Sequence, residues 1–417
     1  MKKNILHVST HYGGGVGSVV RAIVKNDKEN NHTISYLNNI DKNKNNYSQL
    51  FNNNLIEEND IVLCHVWNHP AMFEFLTGNS IPACRLIGWS HMSGLHAPYV
   101  LFDYLMDFFD EFYYTSPVSN LSGTIKPYIW SCCDIEKFSE IKKEKQERFT
   151  IGYVGTLDYC KIHPEFLGIC KKIIKDIPDV KFLIVGDGCD AENMKQNIAH
   201  FKLDYHFEFT GPVSDTRPYL GKMDLFMYPL QPKHFGTCEQ VIGEAMAASV
   251  PVVALNNPAE SIIIIDGING FIANKVEEIP IIASIIHDNI DKESLLREMI
   301  DTAKKYALLR YSPYRMVEHW NDIFNGIIKK EKSERKKWAK PIHIFADSLG
   351  PVHGKIFEDY VMDNHAMAPR RYEYYNPKIH KIFSENPQWL SKSKGSVRQY
   401  LEYFPDDPYL GEWEKLI

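Results

Sequence analysis

FGTCEQVIGEAMAASVPVVALNNPAESIIIIDGINGF, residues 235–271, says more about the fold than any other stretch of the chain. Thr237 followed three residues later by Gln240 has capping-box spacing, which predicts a helix starting there. Ala245, Met246 and Ala247 continue it, Pro251 ends it, and 252–255 (VVAL) is a short buried-strand run. The amides of a helix that follows an open Phe235-Gly236-Thr237 loop make an anion site. Glu244, farther along the same helix, can take the two vicinal hydroxyls of a ribose. Diphosphate and ribose together describe a nucleotide. On pattern alone, a buried α/β layer whose two glutamates face solvent reads equally well.

Working outward, the N-terminus repeats the theme. Residues 4–8 are apolar, 11–17 (HYGGGVG) form a glycine-rich loop, and 18–24 read as a helix. Glycines there permit positive φ and close backbone approach to a ligand. No GK[ST] follows and the pattern is not GxGxxG, so a plain tight turn competes with a phosphate loop. Residues 27–54 are rich in Asn and Lys around one surface strand, with 41–54 read as solvated loop. Runs 61–65, 85–89, 112–115 and 125–130 are further strands. A second set begins at Phe149, with a strand into Gly155, a helix over 164–175, and strands at 180–185, 207–210 and 225–228. Strands alternating with helices predict the α/β class and two doubly wound Rossmann-like domains. The turns at Gly155, Asp187 and Gly236 all follow strands, where open α/β sheets bind ligands.

Bulk properties exclude other classes. A chain of 417 residues with 44% hydrophobic and 24% charged residues is ordinary globular protein. A net charge of −6 argues against general nucleic-acid binding. The eight cysteines include adjacent Cys132 and Cys133 but no CxxC, and the start MKKNILHVS lacks a signal-type apolar run; a reduced, cytoplasmic protein is expected. No His/Cys cluster has zinc-site spacing, so no metal is expected. No run of about eighteen apolar residues is present, so no membrane span is expected.

Taken in order, these residues resemble a GT-B glycosyltransferase of the family 4 type (glycosyl transferases group 1). The resemblance covers residues 1–328 and is strongest over 150–273. The family's G-R-L-x-x-x-K turn stands as Gly155-Thr156-Leu157-Asp158-Tyr159-Cys160-Lys161. Its VGDG turn is 185–188; its E-A-M-A-x-G-x-P-V-V run is 244–253, with Ser249 for glycine. Glu260, Gly267 and Gly270 match its next motif, and Asp134 and Phe138 resemble its domain-junction stretch. The resemblance implies two Rossmann-like domains facing across a cleft, 1–138 and 139–312. Tyr311-Ser312 and a helix over 313–328 would cross back to the first, leaving 329–417 as an extension. It also implies retaining transfer of a hexose-type sugar from a UDP- or GDP-type nucleotide diphosphate sugar to a glycan or lipid-linked saccharide acceptor. No resident cofactor or metal is implied. Lys161, Gly155, Thr156 and the amides of Gly236, Thr237 and Cys238 would hold the diphosphate, facing Gly14, Gly15, Val16 and Gly17. Glu244 would take the ribose. His91 matches the family's cleft histidine, with His65 and His96 as competitors. His91, Lys161 and Glu239 are the candidate catalytic residues.

Two departures stand out. Thr156 replaces an arginine, so compensation is expected from Arg217, Lys233 or His234. The first glutamate of the family's spaced pair is Gly236. Glu239 lies five residues before Glu244, about 140° around a helix, and does not substitute in place. Either Glu239 reaches the sugar from the helix start, another group does, or the sugar is held differently. A nucleotide-sugar-binding protein with altered chemistry is therefore the alternative function. In 329–340, KKEKSERKKWAK offers contact with an anionic membrane surface, against a solvated helix end or linker. The aromatic-rich 341–417 is expected to pack on the catalytic body and shape the acceptor site, with a separate partner-binding module as the other reading.

Overall fold

The computed structural model describes residues 2–10, 12–37, 53–78, 80–290, 294–337, 341–362, 377–382, 384–385 and 395–415. It divides into two units: Met1–Trp130 with Phe235–Thr237 and Tyr314–Ile417, and Ser131–His234 with Cys238–Pro313. The first boundary thus falls at Trp130, before the expected Phe138.

The first unit is built on β1 (Asn4–Ser9), β2 (Asn31–Tyr36), β3 (Ile61–Val66), β5 (Leu86–Ser90) and β6 (Glu111–Tyr114), all parallel, in the order β2-β1-β3-β5-β6. β3 and β5 are buried at every residue, as strands covered on both faces must be, which is why they read as unbroken apolar runs. The expected strand at 125–130 reduces to a single bridge between Tyr114 and Tyr128, because Pro127 has no amide to give a ladder. Part of the loop expected at 41–54 lies outside the described residues; Asn53–Glu57 is a short helix.

Described residues from the C-terminal part of the chain join this unit's core. The helix Pro313–Ile327 sets Trp320 edge-on to Trp89, ring centroids 4.9 Å apart. Phe345, Phe357, Tyr400 and Trp413 are buried in the same cluster as Val66, Met72 and Phe73. Tyr400 donates to Asn68 Oδ1 at 2.8 Å, at the end of β3. The basic run is tied down too. β13 (Ser333–Arg335) pairs antiparallel with β4 (Ile81–Cys84). Arg335 binds Asp110 at 2.7 Å, Lys330 binds Glu111 at 2.9 Å, and Lys332 donates to the Asn59 carbonyl. Those three cations of the run are engaged by the protein itself; residues 338–340 lie outside the described residues. Among the described residues no helix is long and apolar enough to cross a membrane.

The second unit holds β7 (Thr150–Val154), β8 (Lys181–Val185), β9 (Phe207–Gly211), β10 (Leu225–Tyr228), β11 (Val252–Leu255) and β12 (Phe271–Ala273). They form one parallel sheet in the order β12-β11-β10-β7-β8-β9. All eight cysteines are free thiols.

Candidate functional site

In the second sheet the chain runs β7, β8, β9 to one side, then returns to lay β10 against the other edge of β7. Loops leaving β7 and β10 diverge at this reversal and leave a crevice at the carboxyl ends. The turn after β7 is built on glycine. Gly155 adopts φ 157°, and its amide donates to the Val185 carbonyl at 3.0 Å. A Cβ on Gly188 would lie 2.3 Å from the Leu157 carbonyl, so the GDG turn packs directly on this one. Lys161 closes the next turn, its amide donating to Asp158 at 2.8 Å and its carbonyl accepting from Gln231 at 2.9 Å.

The Lys161 ammonium lies 3.1 Å from Glu239 Oε2. Tyr228 donates its hydroxyl to the same oxygen at 2.6 Å. His234 bridges two carboxylates, with Nε2 3.2 Å from Glu260 Oε1 and Nδ1 3.9 Å from Glu239 Oε1. Glu239, Glu260 and His234 are all buried. Burial pushes Glu239 up, but Lys161 and His234 outweigh it and hold the carboxyl below its usual value. For His234, burial lowers the pKa and the Glu260 carboxylate more than restores it, so the imidazole is held above 6.5. Two buried carboxylates thus share one lysine and one histidine.

Ligand atoms of His234, Glu239 and Glu260 lie within 4.8 Å of one another, close enough to converge on a cation. The Lys161 ammonium already supplies one. In a second such group, Asp158, Cys189 and Asp190, the two carboxylates accept turn amides from Cys160 and Tyr159.

Several expectations need correction. The helix runs Gln240–Ala247, not from Thr237, and its N-cap Glu239 makes no side-chain cap bond. Thr237 is no capping residue because its hydroxyl pairs with Thr115 at 2.8 Å. Glu239 instead takes φ 22°, a strained geometry that turns its carboxylate to Lys161. Glu244 is partly exposed near Asp215 and Thr216; burial, then the like charge of Asp215, push its carboxyl up to about 7. Arg217 is clamped by Asp215 at 2.7–3.1 Å, so it is spoken for. Lys233 has its amide on Gln231; the Thr156 carbonyl accepts from Tyr153. Of the three compensating candidates, His234 lies beside Lys161's partner.

In the first unit, the helix starts at Gly14, not Ser18, and spans Gly14–Asn26. Gly15, Val16 and Gly17 are its first turn, and the N-cap Gly13 supplies no side-chain acceptor to their amides. A Cβ on Gly17 would sit 1.7 Å from the Tyr12 carbonyl, so only glycine fits. His91 directly follows β5, and its Nε2 lies 3.0 Å from His65 Nδ1. His65 is therefore its partner rather than its competitor. The His96 carbonyl accepts from Tyr99. Sequence reasoning missed Tyr228, and it missed His7, His32 and Asp27, which continue the line behind His65. Histidines at buried strand positions were the signal, readable only once the strand order is known.

A reversal-point crevice lined by a lysine, two carboxylates and glycine turns, in a chain with two such parallel sheets, is the arrangement of the GT-B fold. Residues 134–306 match the family described as Glycosyl transferases group 1. Among curated relatives, a 2-deoxystreptamine N-acetyl-D-glucosaminyltransferase of Niallia circulans is 30% identical over 28% of this chain and 30% of its own length. The capsular polysaccharide glycosyltransferase CapM of Staphylococcus aureus is 27% identical over 45% of this chain and 49% of its own. The chain thus matches less than half the length of either relative. Among solved structures, Anabaena HepE in complex with UDP-glucose aligns with 78% of this chain and all of its own, TM-score 0.60 and 16% identity. A Rickettsia africae glycosyltransferase aligns with 79% of this chain and 99% of its own, TM-score 0.59 and 16% identity. At that identity the likeness establishes the fold.

Proposed function

We propose that this chain moves a hexose-type sugar from a nucleotide diphosphate sugar of UDP or GDP type to a glycan or glycoconjugate acceptor. The observation that carries the reading is the Lys161–Glu239–His234 cluster at the carboxyl ends of β7 and β10, inside the family-matched segment. Departure of the diphosphate builds negative charge on its oxygens, and fixed donors aimed at that charge give the largest catalytic term. Lys161 is held by both its backbone bonds and its ion pair, so it is preorganised for this task. The uncapped amides of Gly14, Gly15 and Val16 are a second donor set of the same kind. HepE was solved with UDP-glucose, which supports a uridine donor here.

The reaction is retaining and needs no metal in this reading: the acceptor attacks from the face the diphosphate leaves, and a phosphate oxygen takes its proton. Glu244, with its carboxyl near 7, still offers acceptor oxygens to a ribose. The site works at the cytoplasmic side, on a glycan or a lipid-linked saccharide.

A panel of UDP- and GDP-sugars in thermal shift, followed by nucleotide release with and without acceptor, tests the proposal. Release only with acceptor supports transfer; stabilisation by donor without release favours the alternative, a binding protein with altered chemistry; no binding of any nucleotide ends both. Lys161→Ala is expected to slow transfer at least about a hundredfold, and near-normal turnover would remove Lys161 from the diphosphate role.

A further inference from the structure

Four histidines and an aspartate form an unbroken hydrogen-bonded line across the first sheet. Asp27 Oδ2 lies 3.0 Å from His32 Nε2, and His32 Nδ1 lies 2.9 Å from His7 Nε2. His7 Nδ1 lies 3.0 Å from His65 Nε2, and His65 Nδ1 lies 3.0 Å from His91 Nε2. The line follows from strand register. His32 pairs with Ile5, two residues before His7; His7 pairs with Leu63, two before His65; His65 pairs with Trp89, two before His91. A step of two residues keeps one face of the sheet, so each imidazole meets the next on the diagonal. The rings from His7 to His65 and from His65 to His91 stack at 5.3 and 5.2 Å, each pair 20° from parallel.

Each histidine–histidine link joins an Nδ1 to an Nε2, so the acceptor at the Asp27 end decides the direction of the line. A neutral imidazole carries one proton, on one nitrogen, and accepts at the other. Burial holds all four histidines below their usual pKa, and His91 falls to about 3, so they are neutral near pH 7. Burial raises the Asp27 carboxyl, but hydrogen bonds from the Asn30 side chain and the Glu29 amide hold it lower still, so it is an acceptor only. His32 must then put its proton on Nε2. Its Nδ1 can only accept, which forces His7 to donate from Nε2, and the same rule passes to His65 and His91.

We infer that Asp27, His32, His7 and His65 are positioning residues that fix His91 as the Nε2–H tautomer and leave its Nδ1 as a hydrogen-bond acceptor at the carboxyl end of β5. Among the described residues Nδ1 has no side-chain partner. It is placed to accept a hydroxyl or amide proton of a bound ligand, and a sugar hydroxyl is the natural donor. That last step rests on the transferase reading; the tautomer relay does not.

The test is long-range nitrogen–proton NMR on full-length protein labelled at histidine, with His91 assigned through His91→Gln. His91 is expected as a single Nε2–H species. Asp27→Asn puts an amide donor where the carboxylate oxygen was, facing His32, and is expected to reverse the line and convert His91 to Nδ1–H. His65→Phe, which cuts the line beside His91 and keeps an aromatic ring in place, is expected to leave His91 as a mixture. Wild-type His91 found as Nδ1–H or as a mixture overturns the relay, as does a His91 tautomer unchanged in His65→Phe or in folded Asp27→Asn. A merely structural role for the line would move stability and leave the His91 tautomer alone. Titrating UDP-sugars into the same samples separates the two claims: loss of donor binding with the tautomers intact counts against the function only.

Discussion

At the scale of single residues, Glu239 governs the candidate site. Its carboxylate is buried, holds the Lys161 ammonium at 3.1 Å, accepts from Tyr228 at 2.6 Å, and adds to the field around His234. A buried ion pair is costly to break from one side, because the remaining charge keeps its desolvation cost without its partner. Glu239→Gln keeps the Tyr228 hydrogen bond and removes the charge, so about 3 kcal/mol of stability should go. Lys161→Met removes the other charge and retains the stem. In the double variant neither charge is left stranded, and the combined loss should fall well short of the sum of the two. Denaturant unfolding of the three variants measures this. Simple additivity would mean that the pair is not coupled and that Lys161 is held by its backbone alone.

At the scale of elements, the helix Gln240–Ala247 shows what a sequence discloses and what it conceals. Its existence and the following strand were legible in the run of alanines, Pro251 and VVAL. Its start was not, because Thr237 spends its hydroxyl on Thr115, a partner far away in the chain. The fully buried strands were legible for the same reason throughout: both faces are covered, so the runs are apolar. Lys161 was found by motif, but its pairing with Glu239 depends on an unusual backbone at 239 that no local pattern announces. The histidine line depends on strand register, which is equally invisible. The helix's far end carries a testable strain. Ser249 takes φ 59°, at the position where a glycine was expected. A left-handed residue with a Cβ costs about 1–2 kcal/mol, partly offset by the entropy glycine loses on folding. Ser249→Gly should therefore stabilise the second unit by about 1 kcal/mol in denaturant melts. The neighbouring Gly243 has no such freedom, since a Cβ there would lie 2.4 Å from the Tyr311 ring. Gly243→Ala should cost about 1–3 kcal/mol by overpacking, and an unchanged melt would show that Tyr311 gives way.

At the scale of the whole molecule, the two units should answer acid in opposite ways. In the first, burial lowers the pKa of His7, His32, His65 and His91. The unfolded chain then binds more protons than the folded one below about 6.5, so stability falls as pH drops from there. Each histidine contributes at most about 1.4 kcal/mol per pH unit until its folded pKa is passed. For His91 that limit is about 3. In the second unit His234 is raised, so its contribution is fully present below about 6.5 and is lost as pH rises through its folded value. Glu244, pushed up to about 7, acts in the same direction between its unfolded value and 7. Glu239, held low, keeps its contribution until the pH falls below the ordinary carboxylate range. Acidifying from pH 7 to 5 should therefore weaken the first unit, where Asp347, raised by burial to about 6, and Glu74 offset only part of the four histidines. It should leave the second level or firmer, where His163, lowered by burial, opposes His234 and Glu244. The chain provides its own reporter, because Trp67, Trp89, Trp130, Trp320 and Trp413 lie in the first unit and no tryptophan occurs between residues 131 and 313. Tryptophan emission follows that unit alone, while hydrogen exchange at β7, β8 and β10 follows the other. The expected result is a tryptophan transition that moves to lower denaturant at pH 5 while protection in the second sheet holds. A tryptophan transition indifferent to pH over this range would mean that the histidine line is not buried neutral, and the direction assigned to it would fall with that.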